Sequence, residues 1–164
     1  MMSIRVAGSW KTITPYIGVA GAWVQVTGAW IGVGGVWESL TQPPLTATVS
    51  PTSLGASVSS ILQNARPNVT TLTATVTPSG GSGTYSYAWS VAFISASSID
   101  TTGTCSANSA SSAATTFTGQ TCDGTDSPGS DYYMASCVVT DTVSGAKETA
   151  QVYIQLTNNY VNPN

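Results

Sequence analysis

One unit is written three times in the first 41 residues, and this repetition limits what the chain can build more than any other feature. Residues 3–14, 16–27 and 30–41 share the pattern aromatic-Ile-x-Val-x-Gly-x-Trp-x-x-aliphatic-Thr, with Ser3 in the aromatic position of the first copy. Successive copies start 13 and then 14 residues apart. That spacing is too short for a helical repeat and suits a β-hairpin with a one- or two-residue link. The pattern predicts three tandem hairpins.

The register follows from the turn. If Ala7-Gly8, Ala20-Gly21 and Gly34-Gly35 are two-residue turns, each second glycine supplies the positive φ that I′ or II′ turns require. Arg5 then lies opposite Trp10, Gly18 opposite Trp23, and Gly32 opposite Trp37. Because side chains alternate between faces, the Ile and Val of each unit share one face, and the Trp and leading aromatic share the other. A tryptophan laid over a strand glycine covers bare backbone. Both faces of each ribbon are therefore apolar, although an isolated two-stranded hairpin is marginal in water. The favoured reading is a docking or oligomerisation element that buries Trp10, Tyr16, Trp23, Trp30 and Trp37 against other chains, since a large exposed apolar patch marks an interface. The alternative is that the three hairpins pack on one another as a small aromatic core.

Gln42-Pro43-Pro44 breaks the repeat as a semi-rigid link, which gives hairpins over 1–41, a proline linker over 42–44 and a second domain over 45–164. From Leu45 the texture changes to short alternating Thr/Val/Ser strands. Residues 45–49 form a first strand, and 69–77 form a second with Leu72, Ala74 and Val76 on one face and Thr71, Thr73, Thr75 and Thr77 on the other. After a glycine-rich turn at 78–83, Tyr85, Tyr87, Trp89 and Val91 share a face. Late strands place Tyr133, Ala135, Cys137 and Val139 together, and Ala150, Val152, Ile154 and Leu156 together, the latter against Thr149, Gln151, Tyr153 and Gln155. Residues 56–63 are the nearest candidate for a helical turn. Within 95–131 only 115–118 reads as a strand, and the rest reads as loop. About seven strands at this turn spacing is the signature of a β-sandwich.

Few reaction chemistries have residues to support them. The chain has no histidine, which removes the commonest general base, the usual serine and cysteine protease partner and a frequent zinc ligand. Cys105, Cys122 and Cys137 lack CxxC spacing and read as core thiols; if any two pair, Cys105 and Cys122 are favoured. Gly80 to Gly83 sits in a strand-to-strand turn, where a phosphate loop needs a following helix. Asp123, Asp126 and Asp131 are the one weak candidate metal set, as oxygen ligands for calcium, but they match no EF-hand spacing and read better as a solvated acidic loop. No cofactor and no catalysis are expected.

Charge narrows the partners. Only 7% of residues are charged and the net charge is −3, so there is no basic footprint for nucleic acid or an anionic membrane. No apolar run reaches the ~18 residues of a membrane span. Met1 to Arg5 lead straight into the first repeat without a signal-peptide pattern, so synthesis in a cytosol is expected.

Two stretches resemble a known group of proteins. The Thr/Val strand, Tyr85-x-Tyr-x-Trp89, and Tyr133-x-x-x-Cys137-Val-Val-Thr-Asp141 followed by Ser144-Gly145 and Ala150-x-Val-x-Ile-x-Leu156 resemble the immunoglobulin-like and PKD-like domains that decorate tailed-phage virions. The chain departs from antibody-type domains in having no cysteine beside Leu72, Ala74 and Val76, and in placing Tyr133 four residues before Cys137 instead of two. Tyr16 to Trp23 and Trp30 to Trp37 resemble tandem units that recur in predicted tail, fibre and other virion proteins of tailed phages. The resemblance implies an all-β virion protein, tail- or fibre-associated, with capsid decoration and a free carbohydrate-binding adhesin as alternatives. Its expected partners are copies of itself, with a trimer favoured, other virion proteins, and host surface glycans.

Overall fold

The structure, a computed structural model, describes residues 2–6, 9–13, 16–25, 30–33, 36–39, 43–61, 65–97, 103–121 and 129–161. The chain divides into two compact units, Met1–Pro44 and Leu45–Asn164. In the first, β1 (Met2–Val6) pairs with β2 (Ser9–Ile13), β3 (Tyr16–Val19) with β4 (Ala22–Gln25), and β5 (Trp30–Val33) with β6 (Val36–Ser39), as three separate two-stranded sheets. Arg5 faces Trp10, Gly18 faces Trp23 and Gly32 faces Trp37, the register that the repeat dictates. In the middle hairpin Ala20 (φ 48°) and Gly21 (φ 84°) are both left-handed, which is a type I′ turn. Alanine as well as glycine therefore sits at positive φ there. The turns at 7–8 and 34–35 lie outside the described residues.

The second unit is an immunoglobulin-like sandwich. Its strands are β7 (Thr46–Ser50), β8 (Ser53–Ser60), β9 (Asn68–Thr70), β10 (Ala74–Ser79), β11 (Tyr85–Ala96), β12 (Cys105–Ala107), β13 (Ala114–Thr115), β14 (Phe117–Gln120), β15 (Gly129–Asp141) and β16 (Lys147–Tyr160). One layer has the order β11-β15-β16-β8, antiparallel except that β8 runs parallel to β16. The other consists of β7-β10-β13 and β9-β14-β12. Between the layers lie Ala135, Cys137 and Val139 of β15, Val152, Ile154 and Leu156 of β16, and Trp89, facing Val69, Ala74, Val76 and Phe117. Each large apolar side chain so buried contributes roughly 1.5–3 kcal/mol. Trp89 meets Phe117 edge to face, with ring centroids 5.4 Å apart, and its indole N–H donates to the Ser112 carbonyl at 2.9 Å. The buried ring thus keeps its polar atom paired.

At the centre of the second layer are two long strands, β9–β10 and β13–β14, each broken once. Thr70 pairs with Thr118 and Ala74 with Thr115, so three residues on one side of the break oppose two on the other. One extra residue is a β-bulge, and it shifts the inward period by one position. Val69 and Thr71 point in before the bulge, and Ala74 and Val76 after it. Leu72, expected on the inner face, is instead 78% exposed. Thr71 closes the gap: its hydroxyl accepts from the Phe117 amide at 3.0 Å, where an unbroken ladder would offer a carbonyl.

Two further expectations are corrected. Residues 56–63 were the best helical candidate, but 56–60 complete β8, whose Leu54 is buried and whose backbone pairs with β16. Residues 95–131 hold four strand segments or parts of them beyond the single one expected, including β12 and the start of β15. The turn at 108–113 joins them to the core through Ala110, whose carbonyl accepts from the Trp89 amide at 2.8 Å, and Ala113, whose carbonyl accepts from the Val76 amide at 2.9 Å.

Candidate functional site

The repeat positions chosen for docking are brought to equivalent places in three ribbons. Within the middle hairpin, Tyr16, Gly18, Trp23 and Gln25 share one face by register. Trp23 is 78% exposed and Tyr16 is 53% exposed. Among the described residues, the Trp23 indole is therefore open and not buried. Trp10, Trp30 and Trp37 hold the corresponding backbone positions, and their side chains lie outside the described residues.

Of the acidic set, Asp131 is the member that lies among the described residues. Asp131 lies in β15 with no exposed surface, and its carboxylate accepts from the Gly103 amide at 2.9 Å. It is therefore a buried structural group and not part of a solvated loop; Asp123 and Asp126 lie outside the described residues. Among the described residues no group of three or more acidic or cysteine side chains is placed to hold a metal ion. Cys105 and Cys137 are free thiols, and Cys122 lies outside the described residues. Burial pushes the Cys105 thiol up to about 11; it also raises that of Cys137, against a smaller lowering by a backbone hydrogen bond from Ala88. Both are held as neutral thiols, the poorly nucleophilic form.

A surface that sequence reasoning passed over lies on the outer face of β11-β15-β16-β8. The alternation that buries Val152, Ile154 and Leu156 turns Gln151, Tyr153, Gln155 and Thr157 outward. The Tyr132 and Tyr153 rings stack at 5.8 Å and 27°. Gln155 donates its amide to Ser130 (3.2 Å) and Thr157 (3.3 Å), and those two hydroxyls are 2.9 Å apart. The signal is present in the strict alternation of 149–157, which sets Thr149, Gln151, Tyr153 and Gln155 together opposite the core face.

No family model matches the chain. No curated protein matches it either. Among solved structures, the chain is similar to the ASH/PapD-like domain of human CEP192 (PapD-like domain 7), with 9% identity, a TM-score of 0.42, and coverage of 82% of this chain and 99% of that one. It is also similar to a nucleoside hydrolase-related hypothetical protein from Saccharophagus degradans that is associated with carbohydrate metabolism, at 14% identity and a TM-score of 0.34; this match covers 73% of this chain and 26% of that one. Both scores are too low for either neighbour to bear on what this chain does. Among the described residues no helix is long and apolar enough to cross a membrane.

Proposed function

We propose that this chain is a non-enzymatic structural protein of a tailed-phage virion, tail- or fibre-associated, made in the host cytoplasm. Its N-terminal hairpins dock on neighbouring virion chains or on copies of themselves, and its immunoglobulin-like domain faces outward. The observation that carries the reading is Trp23, 78% exposed across from Gly18 on a two-stranded ribbon. A ribbon of this size gains little stability alone, and a large apolar side chain left open on it gains by being covered. Trp10, opposite Arg5, and Trp37, opposite Gly32, hold the same register position, so the repeat offers three such positions along one chain. Capsid decoration is the second placement, because the same anchors suit a head surface; a free carbohydrate-binding adhesin is the third reading.

The test is incorporation. Particles purified from cells making the Trp23→Ser, Trp37→Ser double variant should lack the protein by mass spectrometry, while wild-type particles carry it. Circular dichroism of the purified variant controls for folding. Wild-type copy number for the variant would remove the hairpins as anchor, and absence of the wild-type protein from particles would leave the free adhesin.

A further inference from the structure

We infer that the outer face of the four-stranded sheet, around Tyr153, Gln155 and Gly55, is a binding site for a neutral saccharide. The inference does not rest on hairpin docking, because this face is built within the second unit alone.

Three observations meet there. First, β8 runs beside β16 with Gly55 opposite Gln155 and Ser57 opposite Thr157. The small β8 residues leave a depression of about 230 Å³ lined by Gly55, Ala56, Ser57, Gln155 and Thr157. A Cβ built on Gly55 would meet no atom within 4 Å, so the space directly above the backbone is open. Second, the position next to Gln155 on this face is Tyr153, which pairs with Ser53 and remains 36% exposed. Its ring is braced against Tyr132, so the aromatic wall is held upright by stacking. Third, Gln155 is fixed by its bonds to Ser130 and Thr157, which orients an amide at the edge of the depression before any ligand arrives.

The chemistry selects the ligand. Among the described residues, Lys147 at the far end of β16 is the one charged side chain that alternation puts on this face. An anionic ligand would look for arginine or lysine in the site, and a cationic one for carboxylates. A protein partner would need roughly 800 Å² with an apolar centre; here the centre is amide and hydroxyl. A sugar ring presents a C–H face that lies on an aromatic side chain and hydroxyls that exchange hydrogen bonds with amide and hydroxyl groups. The depression is smaller than the ~300–1,000 Å³ of drug-sized pockets and suits one ring of a chain that continues across the flat sheet.

The full-length protein should be slowed in native gels cast with one or more of dextran, mannan and galactan, and not slowed by alginate, a polyanion of similar size. Tyr153→Ala removes the ring. Gly55→Leu fills the depression from a position whose backbone accepts a side chain. Each should weaken retardation about ten-fold or more, equal to ~1.4 kcal/mol. Thr149→Ala, on the same face outside the depression, should behave as wild type. Should Tyr153→Ala lose its fold by circular dichroism, Gly55→Leu decides alone. No retardation by any of the three neutral polymers, equal retardation of both site variants and wild type, or retardation by alginate in their place would each overturn the inference.

Discussion

Asp141 and Ser82 are 59 residues apart in sequence, yet the Asp141 carboxylate accepts both the amide and the hydroxyl of Ser82, the latter at 2.7 Å. The same carboxylate accepts from the amides of Val143 (2.9 Å) and Ser144 (3.0 Å) in its own turn. One side chain thus ties the β10–β11 turn to the β15–β16 turn. Hydrogen bonding to the charged form, led by the Ser144 amide and opposed by burial, holds the Asp141 carboxyl well below the ordinary aspartate value. A carboxyl lowered on folding adds stability above its unfolded pKa and loses it as pH falls through its folded one. Asp141→Asn, which turns one acceptor oxygen into a donor facing donors, should therefore lower Tm at neutral pH. The gap from wild type should close progressively below the ordinary value of 3.8. Thermal melts by circular dichroism across that range check it, and a gap constant with pH would show that the charge is not what matters.

The glycines of the first of these turns separate backbone strain from crowding. Gly81 (φ 63°) and Gly83 (φ 84°) are both left-handed, a conformation that costs other residues roughly 1–2 kcal/mol. A Cβ on Gly81 would run into the Asp141 carboxylate, whereas one on Gly83 would meet nothing within 4 Å. Gly83→Ala should cost about 1–2 kcal/mol. Gly81→Ala should cost clearly more, because it also displaces the carboxylate that pins both turns. Urea unfolding of the two variants side by side gives the comparison, and equal midpoints would count against the packing around Asp141.

The centre of the sandwich is the Trp89–Phe117 pair. Phe117 has no exposed surface, and Trp89 is held both by its ring and by its N–H. Removing either large aromatic from a core costs ~3–5 kcal/mol, against the ~5–15 kcal/mol that holds a domain together. Trp89→Ala and Phe117→Ala should each remove a large share of that stability, read as a strongly lowered Tm. Retention of a wild-type Tm by either would show that the pair is not central.

How far the fold could be read from the residues depended on whether one strand was enough to reveal it. In β15 and β16 the alternation is unbroken over long runs, so Ala135, Cys137, Val139, Val152, Ile154 and Leu156 declare their face without help. The hairpin register was legible for a different reason: three copies of one turn fix every cross-strand pair. Leu72 was misplaced because the bulge opposite Phe117 depends on a partner strand more than 40 residues away, which no local pattern encodes. β8 was missed because serine, glycine and alanine give weak strand preference, and its pairing with the chain's last strand is a long-range, parallel contact. Asp131 looked like a member of a solvent loop because its neighbours on one side are polar, while its position on the inner face of β15 follows from the apolar residues after it.

Self-association is the most direct consequence of the hairpins. An aromatic side chain buries ~150–250 Å², so covering Trp23 at ~25 cal/mol per Å² is worth at most about 4–6 kcal/mol per protomer. With equivalent backbone positions at Trp10 and Trp37 the effect is repeated along one ribbon series, which is enough to hold a homo-oligomer at micromolar concentration. The full chain should therefore scatter light as an oligomer, with a trimer favoured. Trp23→Ser should weaken it, and a chain beginning at Pro44 should be monomeric with the far-ultraviolet spectrum of a folded β-protein. Because Trp89 and its partners lie wholly within Leu45–Asn164, the truncated chain keeps the core. A monomeric full chain at that concentration would rule out self-contact, and the open indole at Trp23 would then have to be covered by a different protein, which the particle measurement detects.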